Sequence, residues 1–209
     1  MNTNSTASEA SPFHAGERAL QTRVGIRAEM EQVGRRVIRD HLPDQHRDFY
    51  TTLPYLYVAS VDAAGRPWAS MLSGEPGFVS TPSDKHMEIS AFPHAGDPLM
   101  ENLVPGSPLG VLGLDLSNRR RNRANGHISK RGAESFVVDI DQSFGNCPKY
   151  IRKRELVASN SVARKTGTIT TGTGLSDRLR DLVTSAETFF IATINPGAGP
   201  SGGADISHR

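Results

Sequence analysis

Tyr55-Leu56-Tyr57-Val58-Ala59-Ser60-Val61, then Asp62-Ala63-Ala64-Gly65, then Pro67-Trp68-Ala69-Ser70-Met71-Leu72, is the stretch on which the fold turns. The first run is rich in aromatic and β-branched residues, which suit a pleated, half-buried surface. A short segment ending in Gly separates it from a second such run, the pattern of a hairpin. Further strands are predicted at residues 87–92, 109–116, 127–129 and 135–140. Asp97 is placed to cap a short helix over 98–104, with Pro98 at its first position. Strands dominate residues 54–142 and never alternate regularly with helices. That argues against a doubly wound parallel sheet and for an antiparallel barrel or sandwich. The fold class is therefore mainly β with flanking helices (α+β).

Working outward, residues 1–12 read as a disordered lead-in and 13–52 as a helical segment. Leu20, Val24, Met30, Val33 and Val37 carry its apolar period, Gly25 breaks it, and Pro43 ends its second part. Asp44 can cap a further short helix through Tyr50. The β domain covers 53–157, and a Thr/Gly/Ser-rich linker covers 158–175. Residues 176–209 then repeat the earlier plan, with a helix capped by Ser176 followed by an apolar strand and a Gly turn. Leu56-Tyr57-Val58-Ala59-Ser60-Val61-Asp62 and Phe189-Phe190-Ile191-Ala192-Thr193-Ile194-Asn195 match position for position in character, a weak internal repeat. A lone hairpin is marginal in water. This end is expected to pack on the first unit, pair with another chain, or be a truncation.

The chain of 209 residues is long enough for one good core, or for one domain and part of another. Its mean hydropathy of −0.41 is low for a compact domain, and part of the deficit lies in tails and loops. A formal net charge of +2 argues against a polyanion binder acting by global field. A single cysteine excludes an internal disulfide and fits a reducing compartment. The N-terminus lacks a basic n-region and an apolar h-region, and no apolar run approaches the roughly eighteen residues that span a bilayer. The expectation is a soluble cytoplasmic protein with no membrane partner.

Two segments carry chemistry. Arg119-Arg120-Arg121-Asn122-Arg123-Ala124-Asn125-Gly126 crowds four guanidinium groups that repel one another unless solvent or an anion relieves them. On a strand Arg119, Arg121 and Arg123 share one face, and a guanidinium fork matches phosphate oxygens. A solvated charge run on an edge strand explains the same residues. A nucleic-acid patch is a third reading, against which stand the small net charge and the lack of interleaved aromatics. Phe144-Gly145-Asn146-Cys147-Pro148-Lys149-Tyr150-Ile151 packs an amide, a thiol, a lysine and a phenol into one turn. A nucleophilic Cys147 would need a base or cation beside it, and no His follows in the turn. His86 and His94 lack a Cys or carboxylate companion at metal spacing in the sequence, so no metal site is expected. No G-x-G-x-x-G or phosphate-loop ending occurs. The small residues around Ser70, with Gly74 and Gly77, would let a flat ring approach the backbone, though a bulge explains them equally well.

Four pieces together resemble the pyridoxamine 5′-phosphate oxidase-like FMN-binding split barrels, in particular their flavin-nucleotide-binding subgroup. They are Phe13-His14-Ala15-Gly16-Glu17-Arg18, Gly65-Arg66-Pro67-Trp68-Ala69-Ser70, the arginine segment and the turn after Phe144. The resemblance covers residues 13–150, with a second, partial match over 187–209. It implies a six-stranded antiparallel split β-barrel, homodimeric, with FMN in the groove between barrels. Ser70, Met71 and Leu72 resemble the strand lining the isoalloxazine ring, and Ser90 and Ala91 the next ring-side strand. Arg121 and Arg123 resemble flavin contacts, as do Asn146 and Lys149 in the late loop. Where the oxidases carry a Ser-Arg-Lys phosphate clamp, this chain has Pro93-His94-Ala95-Gly96-Asp97, which leaves the phosphate to the arginine segment. The oxidase C-terminal substrate motif has no counterpart, so true pyridoxamine phosphate oxidase activity is not expected.

The resulting reading is an FMN-binding oxidoreductase of unknown substrate, with a small-molecule electron donor or acceptor and no assigned catalytic residue. FAD and haem are the alternative cofactors. A non-catalytic flavin or haem module, or an anion- or nucleic-acid-binding protein using residues 119–123, are the alternative functions.

Overall fold

The computed structural model describes residues 11–145, 147–157, 170, 172–197, 199 and 201–209. Most of the lead-in and of the linker expected from the sequence lies outside the described residues.

Three helices come first: α1 (Ala15–Arg23), α2 (Arg27–Val37) and α3 (Asp44–Thr51). His14 caps α1 in a reciprocal capping box with Glu17, satisfying amide groups that a helix start leaves unpaired. Gly25, at φ 76°, makes the break predicted between α1 and α2. The hairpin follows as β1 (Tyr55–Val61) and β2 (Pro67–Ser73), paired in register from Tyr55↔Ser73 to Val61↔Pro67. Its turn is tied by the Asp62 carboxylate, which accepts from the Ala64 and Arg66 amides and the Trp68 indole, each at 2.9 Å.

Next come β3 (Val79–Ser83), β4 (His86–Ile89), the short α4 (Leu99–Asn102), β5 (Pro108–Asp115), β6 (Arg120–Arg131) and β7 (Phe136–Gly145). Together the strands form one antiparallel sheet in the order β2-β1-β5-β6-β7-β4-β3. The sheet thus has seven strands, where the resemblance implied six, and its ends β2 and β3 do not pair. Leu56, Leu72, Val79, Ile89, Val111, Ile128 and Val138, from all seven strands, meet in one core cluster. All seven strands thus turn one face to a common core. Phe49 and Tyr50 of α3 and Leu99 of α4 complete that core.

The remaining elements are α5 (Asp177–Ser185), β8 (Phe190–Asn195) and β9 (Gly203–His208). The last two form a separate two-stranded sheet. Of the alternatives for this end, packing on the first unit is what occurs. Ala204 and Ile206 are buried against Ala59 and Leu112, and Phe190 stacks on Tyr57 with ring centroids 3.5 Å apart and planes at 14°. Burying Ile206 completely contributes about 1.5–3 kcal/mol. The α5 helix buries no residue, and no helix among the described residues is long and apolar enough to cross a membrane.

Gly110 decides how close this hairpin can come. A Cβ there would lie 2.7 Å from the Ala204 carbonyl oxygen and 2.8 Å from the Asp205 Cα, both backbone atoms that cannot swing aside. Gly110→Ala is therefore expected to cost about 1–3 kcal/mol of stability and to speed proteolytic cleavage within residues 176–209. An unchanged melting temperature and digestion pattern would show that the hairpin is not held this tightly.

Candidate functional site

Side chains alternate along a strand, and this divides the residues expected to line a cofactor between two faces. Ser70 and Leu72 of β2 point inward. Leu72 belongs to the core, and the Ser70 hydroxyl donates to Asp97 Oδ1 at 2.6 Å. Met71 points outward, opposite Tyr57; Tyr57 lies opposite Leu112, and Leu112 opposite Arg123. These four side chains make one row across β2, β1, β5 and β6, on the face that receives the hairpin. Ser90 is exposed beyond β4, and Ala91 packs against the inner core. The sheet thus separates residues expected to line one cofactor.

The arginine segment is split as well. Arg119 sits in the turn before β6 at φ 59°, so it does not share the strand face of Arg121 and Arg123. Arg120 turns to the other side, over the Phe49 ring at 4.5 Å, and donates to the Gln45 carbonyl. Arg123 donates to Asp205 Oδ2 and Ser207 Oγ of the hairpin, both at 2.7 Å. Arg121 donates to the Cys147 carbonyl at 2.9 Å and, at 3.3 Å, to the His208 carbonyl, with His208 Nδ1 also at 3.3 Å. Burial pulls both guanidinium groups below their ordinary pKa. The Arg123 and Arg209 charges add to the effect on Arg121, whereas Asp205 opposes it on Arg123. Both remain charged, as arginine does in proteins.

Arg121 is only 7% exposed, and among the described residues it has no carboxylate partner. Its Nε is shielded from solvent without a hydrogen bond. Behind His208, which Arg121 contacts, and Leu114, its partner on β5, a pocket of about 410 Å³ opens between sheet and hairpin, with Arg121 itself outside the lining. Tyr57, Leu114, Leu116 and Phe190 give it apolar walls, while Arg152 and Arg154 stand at its rim. An adjoining recess of similar size adds Arg209. Glu187 accepts from both Arg152, at 3.0 Å, and Arg154. Three guanidinium side chains, those of Arg152, Arg154 and Arg209, thus line the two recesses against one carboxylate side chain. His208 adds no charge: burial, then the nearby Arg121 and Arg209, hold its pKa down. Its Nε2 lies 2.7 Å from Thr188 Oγ1.

The late loop reaches the same end of the molecule. Cys147 is an exposed thiol, and Lys149 is exposed with its ammonium 5.3 Å from the Tyr150 ring centroid. Asn146 lies outside the described residues. The structure therefore groups Arg121, Arg123 and the Cys147–Lys149 loop on the hairpin side. Phe190, Thr188 and His208 were not singled out from the sequence. The repeat between 56–62 and 189–195 was the signal available, because it set Phe190 opposite Tyr57.

A larger cleft of about 980 Å³ lies at the β1–β2 turn, next to Asp62, Arg66, Trp68, Asp97, Glu101 and Asn102. It opposes three carboxylates to one guanidinium. The Trp68 indole, then the Arg66 amide, hold the Asp62 carboxyl far below the usual range, so it stays anionic. That charge balance repels a phosphate.

No protein-family profile and no curated protein sequence matches the chain. Solved structures similar to it include a protein described as a candidate pyridoxamine 5′-phosphate oxidase from Lactobacillus delbrueckii. The identity is 16% and the TM-score 0.40, over 51% of this chain and 95% of that one. An FMN-binding protein from Syntrophomonas wolfei is 11% identical at TM-score 0.40, over 60% and 97%. The haem storage protein HutZ from Vibrio cholerae is 12% identical at TM-score 0.33, over 50% and 94%.

Two outcomes follow from these contacts. Arg123→Ala leaves the half-buried Asp205 without its cation, and a double-mutant cycle with Asp205→Ala should give a coupling of about 1–3 kcal/mol in chemical unfolding; a coupling near zero would make the pair incidental. His46 is buried on α3, and desolvation, then the Arg39 and Arg120 charges, push its pKa down to about 4. The unfolded chain takes up this proton near pH 6.5 while the folded one resists it. Its contribution is full above about pH 6.5 and is lost as pH falls toward 4, by up to about 3 kcal/mol. The difference between wild type and His46→Gln should narrow over that window in urea titrations, and a constant difference would contradict the assignment.

Proposed function

We propose that the protein binds FMN on the hairpin side of its sheet and acts as a flavin-dependent oxidoreductase on a small-molecule donor or acceptor. The observation that carries this reading is Arg121, a buried guanidinium bonded only to neutral acceptors behind an aromatic pocket. Burying a charge without a counter-charge is costly, and a phosphate bound beside it would offset that cost. Arg152, Arg154 and Arg209 extend the positive potential to the rim.

The residues present fit such a ligand. A volume of about 410 Å³ is within the usual range for small-molecule pockets, which combine apolar walls with a few polar groups. Tyr57, Leu114 and Phe190 offer a flat ring apolar contact, with Met71 beside Tyr57. Arg123 is committed to Asp205 and Ser207, so in this reading Arg121 and the rim arginines hold the phosphate, and Lys149 approaches it from the late loop. The bound flavin supplies the electron chemistry; the chain holds, orients and desolvates it. The β8–β9 hairpin and the residue before it provide the second wall through Phe190, His208 and Thr188. A carrier role is the second reading, favoured by His208, whose two ring nitrogens already face Arg121 and Thr188.

The test is the visible absorbance spectrum of the purified protein, with the released cofactor identified by mass. A flavin spectrum is expected, and Arg121→Ala should weaken FMN binding by about tenfold or more. Arg66→Ala, in the acidic cleft, should leave it unchanged, with circular dichroism checking that both variants fold. Anaerobic bleaching by NADH or NADPH separates the enzyme from a carrier. A haem spectrum, or a colourless protein that takes up no added FMN, would overturn the proposal.

A further inference from the structure

His208 ends β9 and is 2% exposed, sealed between hairpin and sheet. Its Nδ1 lies 3.3 Å from an Arg121 terminal nitrogen, and its Nε2 lies 2.7 Å from Thr188 Oγ1. A guanidinium has N–H donors and no acceptor, so Nδ1 meets Arg121 with its lone pair. The Thr188 hydroxyl has one hydrogen, which goes to the main-chain oxygen of Arg209 at 2.6 Å. The Thr188 oxygen therefore accepts from His208, and the imidazole hydrogen sits on Nε2. One chain of donors thus runs from Arg121 through His208 and Thr188 to Arg209, with a neutral imidazole inside it. Because Thr188 precedes β8 and Arg209 follows β9, this chain fastens the open end of the hairpin to β6.

A second proton on this ring finds no acceptor. It would sit on Nδ1 and point at a group that only donates. The charges acting on His208 are those of Arg121 and Arg209, both positive. The carboxylates of the hairpin and of its approach are held elsewhere, Asp205 by Arg123 and Asn125, and Glu187 by Arg152 and Arg154. Arg121 is fixed at its other terminal nitrogen by the Cys147 carbonyl at 2.9 Å. Protonation therefore acts against the contact between sheet and hairpin.

We propose that His208 is a proton-operated latch: neutral, it fastens the open end of the β8–β9 hairpin to Arg121, and on taking up a proton it lets that end leave the sheet. Burial, then Arg121 and Arg209, keep the docked ring below its ordinary pKa. The released ring, in water, takes up its proton near pH 6.5. Docking is thus at full strength above about pH 6.5 and weakens as pH falls, by at most about tenfold per pH unit for one proton. The pocket opens with it, because Thr188, Phe190 and His208 belong to its lining. Release of a bound flavin on acidification rests on the FMN reading, whereas the latch is a property of the chain without ligand.

Hydrogen exchange of the ligand-free full chain tests this. A released two-stranded sheet has little stability of its own, so its ladder amides report the opening. Phe189 and Arg209 exchange both of their backbone hydrogen bonds, which places Ile191, Thr193, Asp205 and Ser207 on the same ladder. From about pH 7 to 5 their protection factors should fall by up to about tenfold per unit, while those of the β5 amides fall less. His208→Gln and His208→Asn, which cannot take up a proton in this range, should abolish the difference, with circular dichroism at neutral pH checking that each folds. The imidazole ¹⁵N shifts of the wild type should show the Nε2–H tautomer. No fall in the wild type, a fall that persists in both variants, or an Nδ1–H tautomer would each overturn the proposal. A colourless protein with this pH response would keep the latch and reject only the flavin.

Discussion

The outer face of β1, β5 and β6 cannot be left to water without consequence, because it carries Tyr57, Leu112 and Leu114 alongside two guanidinium groups. The C-terminal hairpin satisfies both requirements at once. Phe190, Ala204 and Ile206 cover the apolar part, while Asp205, Ser207 and the His208 carbonyl receive the arginines. Gly110 makes the approach possible by having no side chain where the Ala204 backbone lies. The placement of the pocket, of the late loop and of the hairpin strands all depends on this contact.

Arg123 and Arg121 illustrate how differently two neighbouring charges can be treated. Desolvating a charge costs several kcal/mol, and only good geometry with a counter-charge recovers it. Arg123 has that geometry in Asp205. Arg121 has only carbonyl oxygens and the neutral His208. The structural reading of the segment as a charged strand explains Arg119 and Arg120, which meet solvent or an aromatic ring. It explains Arg123 through the hairpin. It leaves Arg121 as the residue whose burial has no electrostatic return within the described chain, and the functional reading rests there.

Local patterns were legible wherever one physical rule dominated. The β1–β2 hairpin follows from its apolar runs and Gly turn, the α1–α2 break from Gly25, and β5 and the end of the chain from short apolar runs. The strand β3 was not, since Val79-Ser80-Thr81-Pro82-Ser83 carries a proline and few large apolar residues. The strand β6 was read only at 127–129, because its first half is arginine and asparagine and its partners, not its composition, make it a strand. The site was less legible still. Ser70 and Met71 are neighbours in sequence yet lie on opposite faces, and only the register shows which of them shares the face of Arg123.

The internal repeat also sets how the hairpin docks. Tyr57 and Phe190 occupy equivalent positions and stack on each other, and equivalent Ala59 and Ala192 share one cluster. Contacts between equivalent positions are what a two-fold relation produces, so the hairpin meets the first unit as a copy of its own β1–β2. The copy is one-sided. Val58 is fully buried in the core, whereas its equivalent Ile191 is 39% exposed. The hairpin reproduces the surface that docks and, among the described residues, not the core behind it. A two-stranded sheet has little stability of its own, so its structure is borrowed from the face it covers. The pocket walls come from both partners, Tyr57 and Leu114 from the sheet and Phe190 and Thr188 from the hairpin. Any ligand held there binds only the docked form, and by linkage it must strengthen the docking by as much as docking strengthens the ligand's binding.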